Sequence, residues 1–130
     1  MFGPEFYGQA AAGSVNVTPP SLSSFELLLS IVIMFVVVAL CEEYCFRGVI
    51  LKEINKKKKA LGLILSSALF MLYHVFPGVV PIQTFVTFWL YYFIFGLILG
   101  IIVLVQRGDL LSSIVAHGTF NAILFYLQFA

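Results

Sequence analysis

The stretch FELLLSIVIMFVVVALCEEYCFRGVI, residues 25–50, decides the fold. Its first part is so apolar that it predicts a helix surrounded by lipid or by a protein core. Glu42, Glu43 and Arg47 then fall within six consecutive residues, although a charge at the centre of a membrane helix costs roughly 2.5–3.5 kcal/mol on the insertion scale. Charges placed at that cost call for a functional or a compensating role.

The composition indicates a membrane protein of at most one domain. Hydrophobic residues make up 62% of the 130-residue chain and charged residues 10%, whereas soluble domains average roughly 45–50% apolar and about 25% charged residues. The net charge of +1 gives no reason to expect a nucleic-acid partner. We expect residues 1–24, rich in Gly, Pro, Ser and Ala, to form a flexible polar leader before a membrane domain at 25–130.

Four apolar segments follow the leader, and each is about long enough for a helix of ~17–25 residues to cross a bilayer. They lie at about residues 25–50, 60–75, 85–106 and 110–129. The predicted fold class is therefore all-α, a polytopic membrane protein with a bundle of four transmembrane helices. The basic residues in the loops at 51–59 and 107–109 predict that both loops are cytoplasmic. Aromatic residues at the start of the third segment suggest a belt at the water interface.

Four polar side chains from three of these segments fall at similar depths. With a rise of ~1.5 Å per residue from the predicted cytoplasmic ends, Glu42 lies about 15 Å deep, His74 about 22 Å, His117 about 12 Å and Asn121 about 18 Å. Because such residues are costly in lipid, their convergence in one slab of the membrane favours a shared functional site.

Structural explanations compete with function at each charged position. Glu43 and Arg47, four residues apart on a helix, are predicted to form a structural ion pair. Arg47 can neutralise one carboxylate but hardly two, so Glu42 is left as the functional candidate. A lone histidine in an apolar helix is more often a core residue, and only the matching depth of Glu42 favours function for His74 and His117.

Two further residues have simple structural explanations. Asn121 stands one helical turn after His117 and shares its face, and it could form an interhelical hydrogen bond of the kind that membrane bundles use. Phe70, one turn before His74, is most simply a packing residue. The sequence leaves the role of Asn121 open between packing and chemistry.

A glutamate, two histidines and an asparagine in a lipid-shielded cavity suffice for peptide hydrolysis. A buried carboxylate beside an imidazole can take a proton from water and make it a nucleophile. A second imidazole and a carboxamide can donate to the oxygen that becomes negative, forming an oxyanion hole. We expect no cofactor. The second choice is a catalytic zinc held by Glu42, His74 and His117, although the H-E-x-x-H motif of familiar zinc proteases is missing.

Three motifs in order resemble a known family. EEYCFR at 42–47, FMLYH at 70–74 and HGTFN at 117–121 match the E-E-x-x-x-R, F-x-x-x-H and H-x-x-x-N patterns of the CPBP (ABI) family of intramembrane proteases. This family includes type II CAAX prenyl endopeptidases and bacteriocin-processing or bacteriocin-immunity proteins. The match covers about residues 25–130.

The resemblance implies an intramembrane endopeptidase whose four-helix core carries these motifs. It implies that Glu42 and His74 activate the water, that His117 and Asn121 stabilise the oxyanion, and that Glu43 with Arg47 supports the first helix. The implied partners are the bilayer and a protein or peptide substrate, such as the C-terminal tail of a prenylated protein. The oligomeric state stays open.

Two rival functions remain at this point. One is a non-proteolytic membrane protein of the same family, acting in bacteriocin immunity or as a scaffold. The other is a proton-coupled carrier or channel, which would also use glutamate and histidine at mid-membrane. Four segments with no detectable internal repeat leave little room for alternating access, so the carrier is the weaker rival.

Overall fold

The computed structural model describes residues 22–129, and within this range the fold consists of helices joined by short turns. The all-α prediction is confirmed. The predicted leader falls almost wholly outside the described residues. Four helices follow one another: α1 (Ser24–Asn55), α2 (Lys59–His74), α3 (Ile82–Val105) and α4 (Leu111–Phe129). Helix α3 begins three residues before the predicted start at Phe85, directly after Pro81, which suits the turn that precedes a helix.

Helix α1 combines two kinds of winding. It begins at a capping box, in which the Ser23 backbone N–H donates to the Glu26 carboxylate (2.9 Å) and the Glu26 N–H donates to the Ser23 hydroxyl. Further along, Ile33–Val38 and Tyr44–Leu51 are wound as π-helix, on either side of the α-helical segment Ala39–Glu43. Wider π turns are frequent near functional sites, and here they flank both glutamates.

The helices pack in a ring in which α1 changes partner half-way. The N-terminal part of α1, up to Glu43, packs on α4, whereas its π-wound segment Tyr44–Leu51 packs on α2. Helix α2 packs on α3, and α3 packs on α4. All four helices therefore meet near the middle of α1, where Glu42, Glu43 and Arg47 lie.

The interior contains both polar and apolar side chains, and the exterior is apolar. The buried polar or charged residues include Glu43, Arg47 and His117, and they are as numerous as the buried hydrophobic residues among the described part of the chain. Meanwhile Leu28 and Val36 on the outer face of α1 are about half exposed. An apolar exterior suits a hydrocarbon solvent, in which hydrogen bonds between helices supply much of the cohesion.

Within residues 22–129, two helices are long and apolar enough to cross a bilayer, α1 and α3. Ala60–His74, within α2, is a shorter apolar helix. The prediction of four membrane crossings is thus supported in part: the four helices exist, and two of them meet the criterion for spanning. Whether α2 and α4 also cross stays a prediction.

Gly118 brings α4 against α1, which leads to a stability prediction. A Cβ at this position would lie 2.5 Å from the Phe35 carbonyl oxygen, a backbone atom that cannot move alone. We expect Gly118→Ala to destabilise the fold by about 1–3 kcal/mol, the usual effect of overpacking. Thermal unfolding in detergent measures this effect. The control is Thr119→Ala at the exposed neighbouring position, and equal melting temperatures for the two variants would contradict the close approach.

Candidate active site

Glu42, His74 and His117 meet at one point although they come from three helices. The Glu42 Oε2 atom lies 3.6 Å from Nε2 of His74 and 3.7 Å from Nε2 of His117. Both distances exceed a direct hydrogen bond, and no hydrogen-bond partner for Oε2 exists among residues 22–129. Two imidazole nitrogens and a carboxylate oxygen thus surround a position that a small polar molecule could share.

Both imidazole rings are held by their other nitrogen. Nδ1 of His74 lies 2.9 Å from the Phe70 carbonyl oxygen, and Nδ1 of His117 lies 2.9 Å from Oε1 of Glu43. A carbonyl oxygen can only accept, so Nδ1 of His74 donates, and an ionised Glu43 requires the same of His117. These bonds fix the tautomer and aim both Nε2 atoms at Glu42.

Glu43 and Arg47 form a buried ion pair with additional partners. Nη1 of Arg47 lies 2.9 Å from Oε1 of Glu43, and both side chains are fully shielded from solvent. Nη2 of Arg47 donates to the Gly96 carbonyl oxygen on α3 at 2.9 Å. The spacing in the sequence predicts the pair, but not that Glu43 also bonds His117. The pair therefore links α1 to both α3 and α4.

Phe70 is the aromatic centre of the site. Its side chain is fully buried, and its ring lies 4.4 Å from the Arg47 guanidinium carbon and 4.4 Å, centroid to centroid, from the His74 ring. It also meets the edge of His117 at 5.7 Å. A cation over an aromatic face is attracted to it, so Phe70 packs against the charged pair and both imidazoles.

The site opens into a cavity of about 500 Å³ between α1, α2, α3 and α4. Asn121 lines this cavity together with Glu42, His74 and His117, so the four residues predicted from the sequence surround one space. The remaining lining is mostly apolar and aromatic. A cavity of this size, with few polar groups in an apolar wall, is typical of ligand sites.

Tyr92 belongs to the site although the sequence analysis assigned its aromatic neighbourhood to a membrane interface. Its ring stacks on His74 with centroids 4.6 Å apart and planes 22° from parallel, and it lines the cavity. The sequence does contain an indication that Tyr92 faces the neighbouring helices. Gly96 stands one turn after Tyr92, and small residues mark the face of a membrane helix that packs on its neighbours.

A catalytic zinc held by Glu42, His74 and His117 stays a prediction. Among residues 22–129, no group of three or more His, Cys, Asp or Glu side chains is arranged to hold a metal ion. Glu42, His74 and His117 are the right residue types for zinc. The mechanism proposed below uses side chains alone.

A comparison with protein families matches residues 24–123 to the family described as type II CAAX prenyl endopeptidase, Rce1-like. The chain belongs to this family. No curated protein and no solved structure matches the chain. The match spans α1 to the first two-thirds of α4 and includes all three motifs, so the resemblance to CAAX prenyl endopeptidases is confirmed. Rce1-like proteins are membrane proteases. The apolar helices are therefore those of an integral membrane protein.

Arg47 should stabilise this Rce1-like fold strongly. Replacement by Met keeps the length of the side chain but leaves the Glu43 carboxylate buried without its counter-charge. Loss of one partner of a buried ion pair costs about 3–5 kcal/mol, so we expect a large fall in melting temperature and in folded yield. Lys57→Met, which removes an exposed cation, is the matched control. An Arg47→Met protein as stable as this control would show that the pair does not support the fold.

Proposed function

We propose that this chain is an intramembrane endopeptidase in which Glu42 and His74 activate a water molecule. The observation that supports it best is the position of Glu42 Oε2, within 3.6 Å and 3.7 Å of two imidazole nitrogens, at the wall of an apolar cavity. Water held there can direct one hydrogen to the carboxylate and one to Nε2 of His74. Its oxygen lone pair is then free to attack a peptide carbonyl.

The proposed reaction has two steps. In the first, the water oxygen bonds to the carbonyl carbon, the carbonyl oxygen becomes negative, and the Glu42 carboxylate takes the proton of the water. In the second, the carbon–nitrogen bond breaks and Glu42 returns that proton to the leaving amine. Glu42 thus acts first as base and then as acid, and its backbone stays fixed by the packing of α1 on α4.

His117, as an imidazolium that donates from Nδ1 to Glu43 and from Nε2 to the substrate, would stabilise the negative oxygen together with Asn121. Nε2 of His117 points toward Glu42, and Asn121, one turn later on α4, lines the same cavity. Donors held in place before the reaction stabilise a developing charge most effectively. Glu43 contributes indirectly, because its bond to Nδ1 holds the His117 ring in position.

The character of the cavity supports an apolar substrate. Met34, Val37 and Val38 of α1 line one side, and the rings of Tyr91 and Phe95 of α3 line another. Together with membership of the Rce1-like family, this lining favours the C-terminal tail of a prenylated protein or a membrane-associated peptide. We place the end of α1 from residue 51, the turn that follows it, and the turn at 107–109 on the cytoplasmic side, as their basic residues predict.

Replacement of Glu42 tests the proposal directly. We expect Glu42→Gln, which keeps the shape of the side chain but is a far weaker base, to cut a quenched prenylated CAAX peptide about 10²–10⁴-fold more slowly. The same assay on His117→Ala should show a comparable loss, since an oxyanion donor contributes about 10²–10³. Glu53→Gln, which changes an exposed carboxylate on the same helix, should cut at the normal rate.

The assay also separates the proposal from its rival within the family. A well-folded chain that cuts no peptide in a broad panel of prenylated and unprenylated substrates would favour the immunity or scaffold role. Equal rates for the wild type and for Glu42→Gln would show that another group is the base.

Chelation tests the absence of a metal from the mechanism. We expect peptide cleavage to continue at the normal rate after prolonged incubation with a strong chelator, because the proposed base and oxyanion donors are all side chains. The measurement is the cleavage rate with chelator alone and with zinc added back. A rate that chelation abolishes and zinc alone restores would replace the glutamate mechanism with the zinc alternative.

A further inference from the structure

A second cavity, of about 420 Å³, is lined in part by Arg47 and by none of the proposed catalytic residues. It is enclosed by the C-terminal ends of α1 and α3 and by the turn after α3. Four of its nine lining residues are cationic and none is acidic: Arg47, Leu51, Lys52, Asn55, Lys56, Val103, Leu104, Arg107 and Gly108. The cavity therefore concentrates positive charge.

Arg47 lines this cavity and carries a hydrogen-bond donor that the fold does not use. Its side chain is fully buried, and its two terminal nitrogens bond Glu43 and the Gly96 carbonyl oxygen. Its third nitrogen, Nε, is buried without a hydrogen-bond partner in the described part of the chain. An unsatisfied buried donor is costly, and a ligand that accepts from Nε would remove that cost.

The other cations at the cavity are only partly compensated. Lys56 pairs with the exposed Glu53 at 2.6 Å, but Lys52 and Arg107 form no ion pair within residues 22–129. Asp109 follows closely in the chain, but it is not among the lining residues, and its Oδ1 accepts from the Leu111 N–H at the start of α4. Lys52 and Arg107 thus line the cavity without an ion-pair partner in the described part of the chain.

We propose that this cavity binds a phosphate group, carried by an anionic phospholipid or free in solution. Guanidinium and ammonium groups are the usual protein partners of phosphate oxygens, and basic pockets between membrane helices near the surface bind phospholipid head groups. The volume of about 420 Å³ lies within the range of small-ligand sites. The apolar lining by Leu51, Val103 and Leu104 suits the first carbons of a lipid attached to that phosphate.

Occupancy would act on the fold through Arg47. A phosphate oxygen that accepts from Nε holds the guanidinium from a third side, next to its bonds with Glu43 and with the Gly96 carbonyl oxygen. A ligand that binds only the folded chain raises its apparent stability by mass action. This inference does not depend on the proposed protease activity, and its readout is binding and unfolding rather than catalysis.

The test uses the whole chain in uncharged detergent micelles, with thermal unfolding followed during titration. The added compounds are phosphatidylglycerol, phosphatidylcholine and inorganic phosphate in separate arms. We expect phosphatidylglycerol to raise the melting temperature more than phosphatidylcholine, whose choline cation opposes Lys52 and Arg107. An equal or larger rise with inorganic phosphate would support the site and assign it to the free anion.

Paired variants show whether the cavity or the general surface charge is responsible. Lys52→Gln with Arg107→Gln removes two cations from the cavity, and we expect binding to weaken about fivefold for each. Lys57→Gln with Lys58→Gln removes the same charge from exposed positions outside the cavity and should bind like the wild type. Lys52→Gln alone serves if the first pair does not fold.

Two results would overturn the proposal. Undiminished binding by the Lys52 and Arg107 variants would show that the cavity is not the site. Equal weakening in both pairs would show that the anion recognises only the charge of the surface.

Discussion

The buried ion pair between Glu43 and Arg47 is the interaction on which the rest of this structure depends. Two charges without water are tolerable only when each has a close counter-charge and further hydrogen bonds. Arg47 meets this requirement with the Gly96 carbonyl oxygen on α3, and Glu43 meets it with His117 on α4. The hydrogen bonds that satisfy these two charges thereby join three helices. The same contacts set the position of the site, because the Glu43 carboxylate that neutralises Arg47 also orients an imidazole.

The absence of water around the bundle also explains why polar side chains lie inside it and apolar side chains cover its exterior. In water, apolar side chains would be driven inward, and a core of arginine, glutamate, histidine and serine would be expensive. In hydrocarbon the apolar exterior is already solvated, so cohesion comes from close packing and polar contacts. Ser66 illustrates this, since its hydroxyl donates to the Phe46 carbonyl oxygen across the α1–α2 contact at 2.7 Å. Membership of the Rce1-like membrane protease family agrees with this arrangement.

Much of the fold could be predicted from the sequence, because long apolar runs separated by loop residues are enough to locate the helices. The spacing of Glu43 and Arg47 predicted their pair, since it involves a single helix. Rise per residue placed Glu42, His74 and His117 at comparable depths, but depth does not give the direction in which each side chain points. The bond from Glu43 to His117 and the stacking of Tyr92 on His74 depend on how helices are rotated against one another. That rotation is decided by packing over the whole bundle.

Because α1 contains π-wound segments, the number of residues in this helix determines which way its polar side chains point. In Tyr44–Leu51 each turn takes up more residues than an α-turn would, so the direction of every later side chain depends on that surplus. Loss of a single residue there, with the winding unchanged, would rotate Lys52 and Asn55 by one residue's step, at most about 100°, relative to Glu42. Lys52 and Asn55, which line the second cavity, would then point away from it. Such a helix can accept many substitutions of one apolar residue for another, but hardly any insertion or deletion.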